Sequence, residues 1–321
     1  MMLATLAILL GLPLLIWSAE RFIHGASFTA GHFGVSPLFI GMFIVGFGTS
    51  APEIIVSVFA AMQGNGGLAL GNAFGSNITN ITLVAGMTAL ISPFAVKSRI
   101  VRKEMPILLA VSFLSVWLLI DLELSKNDAM VLLGIFILVI VWSIWQAKED
   151  QTLELPKEVC GSIDTKKGTL KSHAIWLMGG LVLLIFSSRI LVWGAVEIAL
   201  YFEVSDVIIG LTIIGIGTSL PELISSLIAV KKGEHEMAIG NIVGSNIFNT
   251  LTVIGLAGII QPVVVEPSFF YRDAMVMLGV TVALVIFCLG IKKTGRLNRF
   301  EGAALLSCFI AYNYYLLSIS F

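Results

Sequence analysis

Gly46-Phe47-Gly48-Thr49-Ser50-Ala51-Pro52-Glu53 returns later in the chain as Gly215-Ile216-Gly217-Thr218-Ser219-Leu220-Pro221-Glu222, at an offset of 215 − 46 = 169. Gly71-Asn72-Ala73-Phe74-Gly75-Ser76-Asn77-Ile78-Thr79-Asn80 returns as Gly240-Asn241-Ile242-Val243-Gly244-Ser245-Asn246-Ile247-Phe248-Asn249, again at 169. The pairs Gly25/Gly194, Gly41/Gly210, Gly86/Gly255 and Pro93/Pro262 keep the same register. Apolar segments share composition easily. They do not share an ungapped register across polar residues and glycines, so the chain is an internal repeat.

Composition identifies the solvent. Of 321 residues, 57% are hydrophobic and 12% charged, against roughly 25% charged in soluble domains. In water such a chain would expose large apolar patches and aggregate. Lipid fits it. The net charge of −1 points to no nucleic acid or other polyanion. Cys160, Cys288 and Cys308 are scattered, without metal or disulfide spacing. The first apolar run has no basic n-region and no small-x-small cleavage site, and reads as a retained transmembrane helix.

A span needs ~20 predominantly apolar residues. Ten segments qualify: Leu3–Arg21, Pro37–Met62, Leu68–Ile91, Met105–Ile120, Ala129–Gln146, Ala174–Ser188, Val207–Val230, Met237–Ile260, Ala274–Ile291 and Gly302–Ser318. Phe22–Gly34 and Ile190–Glu203 read as continuations near the interface. With the N-terminus outside, the inward connections hold 16 of the 19 basic residues, leaving Lys126, Arg189 and Arg272 outside. The positive-inside rule therefore predicts both termini outside a cell membrane. The polar stretch 147–172 reads as a cytoplasmic linker. It divides a first repeat, 1–146, from a second, 173–321.

Each repeat carries five spans, an odd number, so the second copy crosses the membrane in the opposite sense. The expected fold is an all-α integral membrane protein of ten transmembrane helices in two inverted five-helix repeats, with broken helices at the midplane. Such folds place the substrate site near the midplane, where the repeats meet. Gly46, Gly48 and Pro52 sit mid-span, as do Gly215, Gly217 and Pro221. Proline removes a backbone donor and clashes with the preceding turn. The freed carbonyls belong in a hydrated cavity, not against lipid.

Of 20 acidic residues, only Glu53 and Glu222 fall near the centre of a span. Ionisable groups at membrane depth are costly and read as functional. Two uncompensated carboxylates at symmetric positions call for a cation. Thr49, Ser50 and Ser57 share a helical face with Glu53 by i, i+3 and i, i+4 spacing, as Thr218, Ser219 and Ser226 do with Glu222. Ser76/Asn80 and Ser245/Asn249 are i, i+4 pairs on the following helices. Carboxylate, hydroxyl and amide oxygens without intramembrane His or Cys make a hard-cation site, and Ca²⁺ takes ~6–8 oxygen ligands. Glycine and proline also serve as packing points and kinks in membrane helices, and Ser and Asn as interhelical hydrogen-bond partners; symmetric duplication of the whole set favours a site. His24, His32, His173 and His235 read as structural or solvated.

At these residues the chain resembles the cation/Ca²⁺ exchanger superfamily, whose repeats carry a G-x-G-T-S-x-P-E signature followed by G-N-x-x-G-S-N. It looks like the bacterial calcium/sodium antiporters of the YrbG type. The resemblance implies Glu53 and Glu222 as shared Ca²⁺ carboxylates. It implies hydroxyl or carbonyl oxygens from Thr49, Ser50, Ser76, Thr218, Ser219 and Ser245, and backbone carbonyls from Gly46 and Gly215. Asn80 and Asn249 would complete the ring, and Na⁺ would use overlapping positions. Many Na⁺-coupled members carry Asp where this chain has Asn249, so exchange against Na⁺ and against H⁺ both stay open, as does K⁺ dependence. No cofactor is expected, because the ions are cargo. A channel would need a continuous polar path, and an enzyme a nucleophile–base or His/carboxylate metal set. The polar residues instead cluster at one depth and contain neither set.

Overall fold

The computed structural model describes residues 2–33, 35–96, 98–153, 170–202, 215–289 and 295–319. Most of the expected linker, together with Gly210 and Phe321, lies outside them. Among the described residues the chain is helical apart from two short strand pairs. The first half contains α1 (Met2–Phe33), α2 (Pro37–Thr49), α3 (Ala51–Met62), α4 (Gly66–Ile91), β1 (Phe94–Val96), α5 (Ser98–Trp117), β2 (Glu123–Leu124) and α6 (Lys126–Leu153). The second contains α7 (Leu170–Tyr201), α8 (Gly215–Thr218), α9 (Leu220–Lys231), α10 (His235–Ile260), β3 (Val263–Val264), α11 (Pro267–Leu289), β4 (Gly295–Leu297) and α12 (Arg299–Ile319).

Six of these helices, α1, α4, α6, α7, α10 and α11, are long and apolar enough to cross a membrane. The pair α2–α3, bent by 44° at its break, makes a seventh candidate among the described residues. Outside that set, α5 carries Arg99, Arg102, Lys103 and Glu104 in its first two turns.

The expected continuations Phe22–Gly34 and Ile190–Glu203 run on from their spans as helix over their described residues. α1 and α7 are each unbroken helices of 32 residues, about 48 Å at the usual rise and longer than the ~30 Å apolar core. Gly25, Gly180 and Gly194 do not end these helices, because they face the partner helix. A Cβ on Gly25 would lie 2.6 Å from the Leu177 nitrogen, one on Gly180 2.7 Å from the Phe22 nitrogen, and one on Gly194 2.8 Å from the Ala4 carbonyl oxygen. Small residues let membrane helices approach closely. These contacts run in reverse order along the two chains, so α1 and α7 are antiparallel. His173 is buried at this junction, stacked on Phe28 and on His24.

The interior is built on α4 and α10, the most enclosed of the candidate spans. α2 lies in a groove of α10 made by glycines. A Cβ on Gly41 would fall on the Met237 carbonyl, one on Gly240 would lie 2.7 Å from the Leu38 carbonyl oxygen, and one on Gly244 2.5 Å from that of Met42. The turns α3–α4 and α9–α10 both use a left-handed glycine, Gly64 at φ +81° and Gly233 at φ +80°, a conformation that glycine adopts without steric cost. β1 pairs antiparallel with β4, and β2 with β3. β1 and β3 occupy equivalent places in the two repeats, so one strand pair is the counterpart of the other.

Candidate ion site

The two signature motifs form matching helix breaks. α2 ends at Thr49 and α3 starts at Ala51; α8 ends at Thr218 and α9 starts at Leu220. The residues between, Ser50 (φ −82°, ψ 1°) and Ser219 (φ −89°, ψ 5°), take the same non-helical conformation. This bridge region is sparsely allowed and is common among active-site residues. Pro52 and Pro221 fall in the first turn of the following helix, where a missing N–H costs least. The carbonyl four residues before Pro221 belongs to Gly217, and it accepts a hydrogen bond from Ser188 Oγ at 3.1 Å. Widened π turns occur at Gly41–Gly46, just before the first break, and at Asn80–Ala85 and Asn249–Val253 on the helices opposite. Such turns recur at functional sites.

Glu53 and Glu222 are both 0% exposed and close enough to interact electrostatically. Ser50 Oγ donates to Glu222 Oε1 at 3.2 Å, crossing from one repeat to the other. Both Glu53 oxygens and Glu222 Oε2 are buried without a hydrogen-bond partner among the described residues. So are both polar atoms of Asn80 and of Asn249, and Ser219 Oγ. Buried polar groups are normally paired, and these unpaired oxygens lie on elements that touch across the repeats, α3 against Asn249–Val253 and α9 against Asn80–Ala85. Ser245 Oγ donates to the Gly46 carbonyl at 3.4 Å. Ser76 is buried on α4, Thr218 half-buried on α8, and Gly215 opens α8. Thr49 Oγ1 lies 3.0 Å from the Val45 carbonyl oxygen and 3.2 Å from Asn241 Oδ1. Among the described residues no three His, Cys, Asp or Glu side chains converge as a metal cluster. The oxygen set therefore rests on two carboxylates with hydroxyl, amide and main-chain oxygens.

Two parts of this arrangement escaped the spacing argument. Ser57 and Ser226 do lie one turn beyond Glu53 and Glu222, but their hydroxyls accept from the Asn72 and Asn241 amides, each at 2.8 Å. Asn77 donates across the repeats to Thr250 Oγ1 at 2.8 Å. Asn72, Asn77 and Asn241 all belong to the repeated second motif, and that recurrence was the available signal.

The sodium/calcium exchanger protein family matches residues 3–145 and 172–318, nearly the whole chain. The chain belongs to the sodium/calcium exchanger family. CaxA of Alkalimonas amylolytica, whose name describes an antiporter, is 48% identical to this exchanger over 99% of this chain and 100% of its own. The inner membrane protein YrbG of Escherichia coli K12 is 39% identical over 97% and 96%. Among solved structures, the sodium-calcium exchanger NCX_Mj soaked with Na⁺ and Sr²⁺ superposes with a TM-score of 0.83 at 30% identity, covering 97% of each chain. The exchanger is thus a membrane transporter for cations, of the class that exchanges Ca²⁺.

Proposed function

We propose that this chain exchanges Ca²⁺ for Na⁺ by alternating access at one site between the two helix breaks. The observation that carries the proposal is the pair of buried carboxylates, Glu53 and Glu222, with three of their four oxygens unpartnered among the described residues. In this reading the carboxylates hold one Ca²⁺ or, in its place, Na⁺. Thr49, Ser50, Ser76, Asn80, Thr218, Ser219, Ser245 and Asn249 offer side-chain oxygens, and Gly46 and Gly215 main-chain carbonyls. Two carboxylates neutralise one Ca²⁺ or two Na⁺, so the loaded site is nearly neutral. An empty site leaves two negative charges in a low-dielectric core, which is costly. That cost favours movement of the loaded carrier and makes it an exchanger.

Ten spans in two inverted repeats are part of the proposal. The antiparallel pair α1–α7 supports it, since these helices open the two repeats. The counterpart strand pairs β1–β4 and β3–β2 support it as well. The two matched family blocks, separated at 146–171, support the division into repeats around a linker. The gate in this reading is α1 with α7. The Leu181 side chain of α7 packs against Gly48 and that of Val192 against Gly217, so α7 bears on both breaks. Sliding of this pair would open the site to one face or the other.

The 16 basic residues assigned to the cytoplasm predict the labelling pattern. In a background free of native cysteines, a cysteine placed within 147–172 reacts only from the cytoplasmic face, and one at Phe321 only from outside. Labelling of both from the same face would break the ten-span arrangement.

The coupling ion is tested by ⁴⁵Ca²⁺ uptake into proteoliposomes, with either a Na⁺ or a pH gradient imposed and the membrane potential clamped. Outward-directed Na⁺ drives uptake more strongly than ΔpH, because eight hydroxyl and amide side chains stand ready to replace the water of Na⁺, whereas a proton needs only the carboxylates. Asn249→Asp alters the Na⁺ affinity or stoichiometry while Glu53 and Glu222 stay essential. One observation favours Ca²⁺/H⁺ exchange: Asn249 gives the ring one carboxylate fewer. Uptake that follows ΔpH and persists in Na⁺-free buffer would establish that second reading.

A further inference from the structure

Asn72 and Asn241 sit one residue after the first glycine of the second motif, and the proposed ion site uses neither side chain. Their contacts set them apart from ordinary interhelical hydrogen-bonding residues. Asn241 is 1% exposed. Its amide nitrogen lies 3.2 Å from the Glu222 main-chain oxygen, 3.1 Å from Ser225 Oγ and 2.8 Å from Ser226 Oγ. Its amide oxygen accepts from Thr49 Oγ1, on the other repeat, at 3.2 Å. Asn72 repeats the first half of this pattern. Its amide nitrogen lies 3.1 Å from the Glu53 main-chain oxygen and 2.8 Å from Ser57 Oγ.

The geometry of the break explains why such a contact is needed. Glu222 lies in the first turn of α9, directly after the non-helical Ser219, so the preceding helix does not set the rotation of that turn. An amide on α10 that holds the carbonyl of residue 222 and the hydroxyl of residue 226 grips one helix face at two points, one turn apart. That fixes the direction in which the Glu222 carboxylate leaves the helix. The contact to Thr49 acts on the other half of the site. A hydroxyl that coordinates a cation must offer a lone pair to the ion and send its proton elsewhere. Thr49 has the carbonyls of Val45 and Gly46 in its own helix, Asn241 Oδ1 and the Glu222 carboxylate within reach as acceptors. Donation to Asn241 takes the Thr49 proton off the Gly46 carbonyl, which already receives the Ser50 N–H and Ser245 Oγ.

We infer that Asn241 is a positioning residue of the ion site, holding Glu222 and Thr49 in one arrangement across the repeat boundary, and that Asn72 positions Glu53 in the same way. The inference rests on the reading of Glu53 and Glu222 as the ion carboxylates.

The test is equilibrium ⁴⁵Ca²⁺ binding to purified, monodisperse protein. Removing the outer partners of a metal ligand typically costs about 10–100-fold in affinity. Asn241→Ala and Asn72→Ala each raise the half-saturating Ca²⁺ concentration about 10-fold, and Ser226→Ala raises it less. Ser226→Ala added to Asn241→Ala costs little more, because the two act through one contact. A residue serving only as packing would lower the yield of folded protein and leave Ca²⁺ affinity unchanged. If Asn241→Ala does not stay monodisperse, Thr49→Val and Ser226→Ala replace it. Their combined effect falls short of the product of the single effects when Asn241 links them, and equals that product when it does not. Wild-type affinity in Asn241→Ala, with binding lost in Glu222→Gln, would overturn the positioning role alone. Undiminished binding in Glu222→Gln would overturn the ion-site reading and this role with it.

Discussion

Glu53→Gln and Glu222→Gln each abolish Ca²⁺ exchange and leave a folded protein. The two side chains are 0% exposed, and Glu53 makes no hydrogen bond through either carboxylate oxygen among the described residues. No side chain among the described residues is hydrogen-bonded to it, so the amide that replaces it breaks no such contact. Glu222 gives up one acceptor position to Ser50 Oγ, which the amide oxygen of Gln still supplies. A buried charge without a partner is a cost to the empty protein, and an isosteric amide relieves it. The apo variants should therefore melt at or above the wild-type temperature. Ca²⁺ is where they differ. Loss of even an outer partner of a metal costs roughly 10–100-fold in affinity, and a carboxylate in direct contact with the ion carries more. Exchange in either variant should fall by at least about 100-fold. Ligand binding to the folded state raises stability by about 2.7 kcal/mol at a hundred times its Kd. Wild-type protein is thus stabilised by millimolar Ca²⁺ against thermal unfolding, and neither variant is. A monodisperse Glu53→Gln or Glu222→Gln that transports at the wild-type rate would mean the ion is held elsewhere.

The second large effect is on folding. Gly244→Val prevents α2 from reaching its place on α10. Even the first carbon of the new side chain would lie 2.5 Å from the Met42 carbonyl oxygen and 2.7 Å from the Met42 Cα. These are backbone atoms, so no rotamer change clears them. Overpacking of this kind costs about 1–3 kcal/mol and occasionally more. Gly41→Val meets Met237 backbone in the same way and should behave alike. The consequence reaches the ion site, because α2 carries Gly46, whose carbonyl receives Ser245 Oγ. Thermal unfolding and size-exclusion profiles in detergent should show less monodisperse protein and a lower midpoint for both variants. Gly134→Ala is the control, since a Cβ there meets nothing within 4 Å, and it keeps the wild-type midpoint or gains slightly through helix propensity. A Gly244→Val protein with wild-type stability would show that α2 and α10 do not touch as described.

The sequence alone determined a great deal here, for a physical reason. In lipid, backbone polar groups must be satisfied within a helix, so apolar runs translate directly into helices. A glycine, a proline or a carboxylate inside such a run stands out as it would not in a soluble protein. The repeat at 169, the two helix breaks and the two deep carboxylates were legible for that reason, and the structure brings the two breaks and their carboxylates together. Helix ends were less legible. Nothing in the sequence shows that the glycines near Arg21 and Ser188 face a partner helix, nor that the continuations expected there stay in one unbroken helix with their spans, as they do in α1 and α7. Tertiary structure also decided who touches whom. Hydrogen bonds from Ser50 to Glu222 and from Thr49 to Asn241 join residues that are not equivalent in the two repeats. Helical spacing reports which side chains share a face, but not which neighbour that face meets. Ser57 and Ser226 are the clearest instance: their spacing from the carboxylates is helical, yet their hydroxyls are engaged by Asn72 and Asn241, because the following helix lies against that turn.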